Sequence, residues 1–181
     1  MARPRVLVTR KIPQEALKLL KEHFELDYYE KSTPIPRKLL LSRIKDKAGL
    51  LCILTEKIDG ELLARAPKLR VVSTYSVGYD HIDVTACTAR AVAVTNTPGV
   101  LTETTADFTW ALLMAAARRV VEGDRFMRAG KYKAWDPMML LGGDVHGKTL
   151  GIVGFGRIGQ AVARRARGFA MKILYYDTQR L

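Results

Sequence analysis

Three glycines at the spacing Gly-x-Gly-x-x-Gly, namely Gly154, Gly156 and Gly159, constrain the fold of this chain more than any other feature. The apolar run 148–153 before them predicts a strand, and residues 157–169 after them have a helical pattern. In such a unit the first glycine allows a tight turn, the second lets the backbone approach a pyrophosphate, and the third lets helix and strand pack closely. The spacing alone is weak evidence, but this context predicts a dinucleotide-binding turn.

An acidic residue follows at a suitable distance. Residues 172–177 predict a second strand that ends in Asp177, 18 residues after Gly159. A carboxylate at this place can accept hydrogen bonds from a ribose 2′-hydroxyl and would repel a 2′-phosphate. The sequence therefore favours NAD over NADP, although Gln179 and Arg180 weaken that preference. A ligand-free glycine-rich turn and a methyltransferase-like nucleotide fold share part of this pattern and remain alternatives.

Upstream of the glycines, short runs rich in Val, Ile and Leu alternate with helical patterns. The predicted strands are 5–9, 24–29, 48–54, 70–76 and 91–97, and the predicted helices are 13–23, 36–46, 60–66 (capped by Asp59) and 84–90. Strands that alternate with helices predict an α/β fold with a parallel, doubly wound sheet. The Thr97-Pro98-Gly99 turn breaks the pattern, so we expect one domain over residues 1–98 and a second over residues 99–181.

A long helix is predicted over about 102–128. Its middle, 108–120, is apolar over nearly the whole circumference, which is typical of a helix buried between domains or against another subunit. The following segment, 130–144, is irregular and carries Trp135. Its sequence fits an extended loop that crosses to a partner as well as it fits a surface connection.

Composition excludes several classes of function. The net charge of +12 is spread evenly, with 17 basic against 11 acidic residues up to residue 98 and 13 against 7 beyond it. A solvated helix face accounts for the basic run 163–168, so we expect no nucleic-acid partner. Cys52 and Cys87 lack metal or redox spacing, which predicts reduced thiols and no metal. Without an 18-residue apolar run or a signal peptide, we expect a cytoplasmic protein that does not bind membranes.

Three longer motifs resemble one enzyme family. They are VSTYSVGYDHID at 72–83, TNTPGVLTETTADFTWALLMAAAR at 95–118 and HGKTLGIVGFGRIGQAVARRARGFAMKILYYD at 146–177. Together they resemble the D-isomer-specific 2-hydroxyacid dehydrogenases, most closely the glyoxylate/hydroxypyruvate reductases of archaeal type. The resemblance runs over the whole chain.

The resemblance implies a flavodoxin-like substrate domain followed by the first part of a Rossmann-type NAD-binding domain, whose first βαβ unit is 148–177. It implies that backbone amides at Leu54–Thr55 and Val77–Gly78 hold the carboxylate of the substrate. The family usually has serine in place of Thr55, so the hydroxyl is kept.

The resemblance also assigns the cofactor site. The amides of Arg157 and Ile158 would hold the pyrophosphate. The full set of implied NAD-binding residues is Thr105, Gly154, Phe155, Gly156, Arg157, Ile158, Gly159, Asp177, Thr178 and Gln179. A homodimer is implied through the 102–128 helix, with Trp135 reaching the active site of the neighbouring subunit.

The implied activity is NAD-dependent reduction of a small 2-oxo acid, glyoxylate or hydroxypyruvate, to the D-2-hydroxy acid by hydride transfer. Phosphoglycerate-, formate- and lactate-type substrates remain open. The family's catalytic arginine, glutamate and histidine come from a later part of the fold, so the chain resembles a C-terminally truncated enzyme, and we expect no catalytic residue in it. His23, His81 and His146 are expected to be structural or solvated. A non-catalytic NAD-binding scaffold of the corepressor kind and an inactive truncated product are the alternatives.

Overall fold

The computed structural model describes residues 2–180. The chain divides into two compact units, of which the first ends at Pro98 and the second begins at Gly99.

The first unit is built on a five-stranded parallel sheet, which confirms the predicted α/β class. Its strands are β1 (Arg5–Val8), β2 (Glu25–Tyr28), β3 (Gly49–Cys52), β4 (Val71–Thr74) and β5 (Ala93–Thr95). They lie in the order β2-β1-β3-β4-β5, and every neighbouring pair is parallel. The helices are α1 (Gln14–His23), α2 (Arg37–Arg43) with a 3-10 turn over Ile44–Asp46, α3 (Gly60–Ala64) and α4 (Val84–Ala89).

Alternate side chains of the central strands supply two separate cores. Leu7, Leu50 and Val72 join one core, which contains the buried leucines and Cys87 of α2, α3 and α4. Val6 and Val8 join a second core with Leu17 of α1. Because successive strand residues point to opposite faces of a sheet, helices cover both faces, as the sequence predicted.

Short side-chain caps fix where two of these helices begin. The predicted cap Asp59 is confirmed, since its Oδ1 accepts a hydrogen bond from Leu62 N at 3.1 Å, and Asp83 caps α4 in the same way through Ala86 N at 2.8 Å. Burial alone would raise the pKa of Asp59. The Arg37 guanidinium, 2.6 Å away, and the Leu62 N–H outweigh burial and hold that pKa below its ordinary value.

The second unit contains α5 (Thr102–Ala117), α6 (Val120–Arg128), β6 (Thr149–Val153), α7 (Arg157–Ala166) with a 3-10 turn over Arg167–Phe169, and β7 (Lys172–Tyr176). Strands β6 and β7 form a two-stranded parallel sheet in which Thr149 lies opposite Lys172. The predicted strand–turn–helix–strand unit over 148–177 is therefore present.

The single helix predicted over 102–128 is wrong, because the chain forms two helices that are separated at Arg118 and Arg119. Arg119 has φ 53°, in the left-handed region, and a right-handed helix cannot continue through it. The C-terminus of α5 is closed by the later loop, where Gly143 N–H donates to Ala117 O at 2.9 Å. A Cβ on Gly142 would press against Ala117 O, so the loop approaches the helix end closely. Neither Arg118 nor Arg119 is a glycine or a proline, so the residues at the break do not signal it.

Within the described residues, α5 is buried on one face only. Ala106 is fully buried, and Trp110 Nε1 donates to Val162 O of α7 at 3.1 Å and stacks on Phe169. Phe108 and Leu112, on the other side of the helix, are 64% and 56% exposed. No helix among residues 2–180 is both long and apolar enough to cross a membrane.

Candidate functional site

The predicted substrate residues lie in two loops at the carboxyl ends of β3 and β4. The first corner, residues 53–56, follows β3 and exposes Leu54 and Thr55 to solvent. Within residues 2–180, no atom accepts a hydrogen bond from the backbone N–H of Leu54 or Thr55. Two adjacent free N–H groups at a turn form a place where an anion can bind.

The second corner, residues 76–78, is held by side chains that bind its carbonyl groups. Asn96 Nδ2 donates to Val77 O at 2.8 Å, and Ser76 Oγ donates to Gly78 O at 2.8 Å. The N–H groups of Val77 and Gly78 find no acceptor in the described part of the chain. The side-chain bonds therefore fix the loop through its carbonyls and leave its amides free.

Hydrogen bonds between the loops bring the two corners together. Ile58 N donates to His81 O, and Asp83 N donates to Ile58 O, each at 2.8 Å. A Cβ added at Gly78 would lie 3.8 Å from Leu54 Cδ2. The four predicted substrate residues thus share one sheet edge, close to the β1/β3 position where the strand order reverses. Open parallel sheets bind ligands at that position.

A buried charged cluster, which was not predicted from the sequence, lies behind the first corner. The Glu56 side chain is only 1% exposed and accepts hydrogen bonds from Thr9 Oγ1 and Ile53 N, both at 2.9 Å, and from Thr55 Oγ1 at 2.6 Å. Arg10 Nη2 lies 3.3 Å from Glu56 Oε1. The only sequence signal was a basic residue after β1 and an acid after β3, which is too common to single out.

The three histidines lie in different surroundings. His81 Nε2 lies 3.2 Å from Thr74 Oγ1, and its Nδ1 is buried without a partner among residues 2–180. Burial lowers the pKa of His81, although the charges of Glu56 and Asp80 oppose that shift. His23 and His146 are exposed.

In the glycine turn, residues 154–159, the backbone geometry requires glycine at two of the three positions. The contacts within the chain do not explain the glycine at the third position. Gly154 has φ +89°, which favours glycine, and a Cβ on Gly159 would collide with Gly154 O. Gly156 has an ordinary φ of −68°, and a Cβ there would meet nothing within 4 Å. The space in front of Gly156 is open, as close approach of a pyrophosphate to the backbone requires.

The glycine turn leads directly into α7, which begins at Arg157. The first N–H groups of a helix have no partner inside it and carry a partial positive charge. The amides of Arg157 and Ile158, which the family resemblance assigns to the pyrophosphate, lie in this first turn. The residues present thus fit a dinucleotide.

Asp177 joins the end of β7 to the glycine turn. Its Oδ2 accepts from Phe155 N at 2.5 Å, and its Oδ1 accepts from Thr178 N at 2.7 Å. These backbone N–H groups, that of Phe155 first, lower the pKa of Asp177, so the carboxylate is charged. Oδ1 also accepts from Thr178 Oγ1 at 3.2 Å, so a ribose hydroxyl would compete with Thr178 for that oxygen. Gln179 is exposed beside it.

Two further predicted cofactor residues, Phe155 and Thr105, have side-chain or backbone contacts within the second unit. The Phe155 ring stacks on Tyr175, with 4.3 Å between ring centroids. Thr105 is half-buried on α5, next to Ala106, which packs in the same core as Ala161 of α7. Its backbone groups are bonded within the helix region, to Leu101 O and Thr109 Oγ1. Across residues 2–180, no group of three or more His, Cys, Asp or Glu side chains could hold a metal ion.

The chain is similar to known proteins in both sequence and fold. The catalytic domain of the D-isomer specific 2-hydroxyacid dehydrogenases matches residues 6–174. A glyoxylate reductase of Korarchaeum cryptofilum is 62% identical over 179 residues, which cover 98% of this chain and 54% of that protein.

Solved structures agree with this match. The TT0316 protein of Thermus thermophilus superimposes with a TM-score of 0.91 at 49% identity, over 98% of this chain and 57% of that one. A D-lactate dehydrogenase of Aquifex aeolicus, solved with NAD and lactic acid, gives a TM-score of 0.80 at 28% identity, over 97% of this chain and 52% of that one. The chain spans about half the length of the curated relatives it matches.

Proposed function

Since this chain belongs to the D-isomer specific 2-hydroxyacid dehydrogenase family, we propose that it supplies the substrate-binding unit and the first part of the nucleotide site of a 2-oxo acid reductase. The proposed reaction is NAD-dependent reduction of glyoxylate or hydroxypyruvate to the 2-hydroxy acid. The observation that carries the proposal is the group of four free backbone amides, on Leu54, Thr55, Val77 and Gly78, at one edge of the parallel sheet.

The two units take the two roles that this reaction needs. The strand order of the first unit is that of flavodoxin-like sheets, and we assign residues 1–98 to substrate binding. The β6–α7–β7 unit has the arrangement that begins a Rossmann-type domain, and we assign residues 99–181 to the start of the NAD-binding domain.

Members of this family use NAD or NADP, and we propose NAD for this chain. Asp177 carries the negative charge that a 2′-phosphate would meet, while Gly156 and the amides of Arg157 and Ile158 would hold the pyrophosphate. Phe155, Thr105, Thr178 and Gln179 complete the proposed contacts. The bound nicotinamide would supply the hydride.

The residues of this chain would bind and orient the substrate. A carboxylate held by amides from two corners is fixed in position, which orders the adjacent 2-oxo carbon for attack and lowers the entropic barrier. We assign no catalytic residue to this chain. The family's arginine, glutamate and histidine belong, in this proposal, to the half of the relatives' length that the chain does not match.

We also propose a homodimer, as the family implies. The outer side of α5 carries Phe108 and Leu112, and Trp135 in the following loop is 77% exposed. Exposed large apolar side chains favour association, because pairing removes them from water.

A chimera tests the reaction directly. Residues 1–181 would replace the matching half of the Korarchaeum cryptofilum glyoxylate reductase, and NADH oxidation would be followed with glyoxylate, hydroxypyruvate and pyruvate. We expect turnover with glyoxylate or hydroxypyruvate, and loss of turnover in a matched Gly156→Ala chimera. A chimera that binds NADH but turns over no 2-oxo acid would instead support a non-catalytic NAD-binding scaffold.

A further inference from the structure

Glu56 is a buried carboxylate. Substrate binding through backbone amides does not require a charged side chain at this position. Glu56 lies directly behind the first corner, and its carboxylate accepts hydrogen bonds from Thr9, Ile53 and Thr55. Arg10, whose side chain is 15% exposed, is its charged partner and is itself anchored by Nη1 to Ser32 O at 2.8 Å. Burying a carboxylate is unfavourable unless it is paired and hydrogen-bonded, as it is here.

The hydroxyl of Thr55 is committed to this cluster. Its single proton is donated to Glu56 Oε1 at 2.6 Å, and its oxygen accepts from Arg10 Nη2 at 2.7 Å. A substrate carboxylate only accepts hydrogen bonds, so it needs a donor. Thr55 therefore offers a carboxylate its backbone N–H and not its hydroxyl.

The Glu56 carboxylate also determines which backbone N–H groups of the first corner remain without an acceptor. Glu56 Oε2 takes the N–H of Ile53 at 2.9 Å, which turns that peptide toward the interior. The next two N–H groups, on Leu54 and Thr55, have no acceptor among residues 2–180. The Arg10 guanidinium compensates the negative charge of Glu56, which would otherwise repel an anion at this corner.

We propose that Glu56 is a positioning residue for the substrate carboxylate. Held by Arg10 and Thr9, it fixes the first corner so that the Leu54 and Thr55 amides face the ligand, and the Thr55 hydroxyl is a bridge inside the cluster. The identity of the ligand as a 2-oxo acid rests on the proposed function; the positioning of the corner does not.

The ligand-free chain provides the first test. Amide hydrogen exchange would be measured on the ¹⁵N-labelled 181-residue chain and on Glu56→Gln. We expect exchange at Ile53 N–H to accelerate about tenfold, because an amide side chain cannot replace all the acceptor positions of a carboxylate. Exchange at Val72 in the sheet centre should not change. Glu61→Gln is the matched control, since Glu61 is an exposed carboxylate that also pairs with an arginine, Arg37.

Titration with sodium glyoxylate, against sodium chloride at equal ionic strength, is the second test. The shifts of the four free amides report binding. We expect Glu56→Gln to raise the glyoxylate Kd about tenfold and Glu61→Gln to leave it unchanged. Thr55→Val should raise the Kd by about threefold, as Thr9→Val should, because it removes one donor to Glu56 and leaves the backbone donors in place. A tenfold loss in Thr55→Val with wild-type affinity in Glu56→Gln would overturn the proposal.

The outcomes separate this inference from the proposed function. If wild type ignores glyoxylate while Glu56→Gln still loosens Ile53, the positioning role stands and the proposed substrate is wrong. If Glu56→Gln binds glyoxylate like wild type, the positioning role is wrong and the substrate stands. Should Glu56→Gln fail to fold, Thr9→Val removes one donor and keeps the ion pair. It should shift both readouts in the same direction by about threefold, and no shift in either readout contradicts the proposal.

Discussion

Two parallel strands of similar composition, β4 in the first unit and β6 in the second, have different environments. Val72 of β4 is fully buried between β3 and β5 and under α-helices, whereas Val153 of β6 is 87% exposed in a two-stranded sheet. Both segments were predicted as strands from their apolar residues. The difference shows that burial of a parallel strand is set by its neighbours, and that apolar composition alone cannot supply it.

The largest expected difference between the units concerns their cores. Leu62→Ala removes a fully buried side chain in the first unit and should lower the free energy of unfolding by about 2–5 kcal/mol. Val153→Ala, at an exposed position in the second unit, should change it by less than about 0.5 kcal/mol. Denaturant unfolding of both variants checks this. Equal losses would mean that Val153 is covered in solution.

Alkaline pH should affect the first unit more than the second, because both cysteines lie in the first unit. Burial, with a smaller contribution from Glu56, raises the pKa of Cys52 from 9.0 to about 12. Since the folded-state pKa is the higher one, this stabilisation is complete below pH 9.0 and is lost as the pH rises toward about 12. The loss should be on the order of 4 kcal/mol, because each pKa unit corresponds to about 1.4 kcal/mol.

Denaturant unfolding at a series of pH values checks the thiol contribution. In Cys52→Ala, the free energy of unfolding should fall less steeply with pH above pH 9.0 than in wild type. Cys87 stays in place as the internal control. An unchanged pH dependence in Cys52→Ala would assign the loss to other groups.

The glycine turn offers a sharper comparison within the second unit. Gly159→Ala should weaken packing of α7 on β6 by about 1–3 kcal/mol, because the new Cβ collides with Gly154 O. Gly156→Ala should keep stability within about 0.5 kcal/mol and still abolish NADH binding. Thermal unfolding and NADH fluorescence titration measure the two effects. NADH binding by Gly156→Ala would contradict the proposed pyrophosphate position.

The smallest expected effect comes from a matched pair of left-handed alanines. Ala91 follows α4 with φ 54°, and Ala170 follows α7 and its 3-10 turn with φ 50°. Each N–H bonds the preceding helical turn. Replacement by glycine should stabilise the chain by about 0.5–1 kcal/mol in each unit, since glycine adopts this conformation without strain. Ala91→Gly should act on the unfolding of the first unit and Ala170→Gly on that of the second. An identical shift of one common transition would show that the units unfold together.

Local patterns were sufficient to predict most of the fold. The alternation of apolar runs predicted every strand within one or two residues of its observed ends, and the Asp59 cap followed from residue type and position. The break at Arg119 was missed because its cause, contact of the distant Gly142–Gly143 loop with the end of α5, is not encoded nearby.

The backbone geometry of the glycine turn could be predicted from the sequence. The buried side chains behind the first corner could not. Glycine spacing predicted the open space at Gly156, because glycine positions report backbone geometry directly. The cluster of Thr9, Arg10 and Glu56 joins the ends of two strands that lie more than 40 residues apart in the chain. Only the strand order brings those residues together, and no local pattern contains it.

The exit of the chain from the first unit has a mechanical consequence. Thr97 N–H donates to Ser76 O at 2.9 Å, and Asn96 binds Val77 O, so the last residues before Pro98 are anchored on the second corner. A thermal displacement that pulls on this segment is resisted by the same two hydrogen bonds that shape the corner. Residues 96 and 97 therefore move together with the second corner, so an anion bound at the Val77 and Gly78 amides would also restrict the motion of the chain at Pro98.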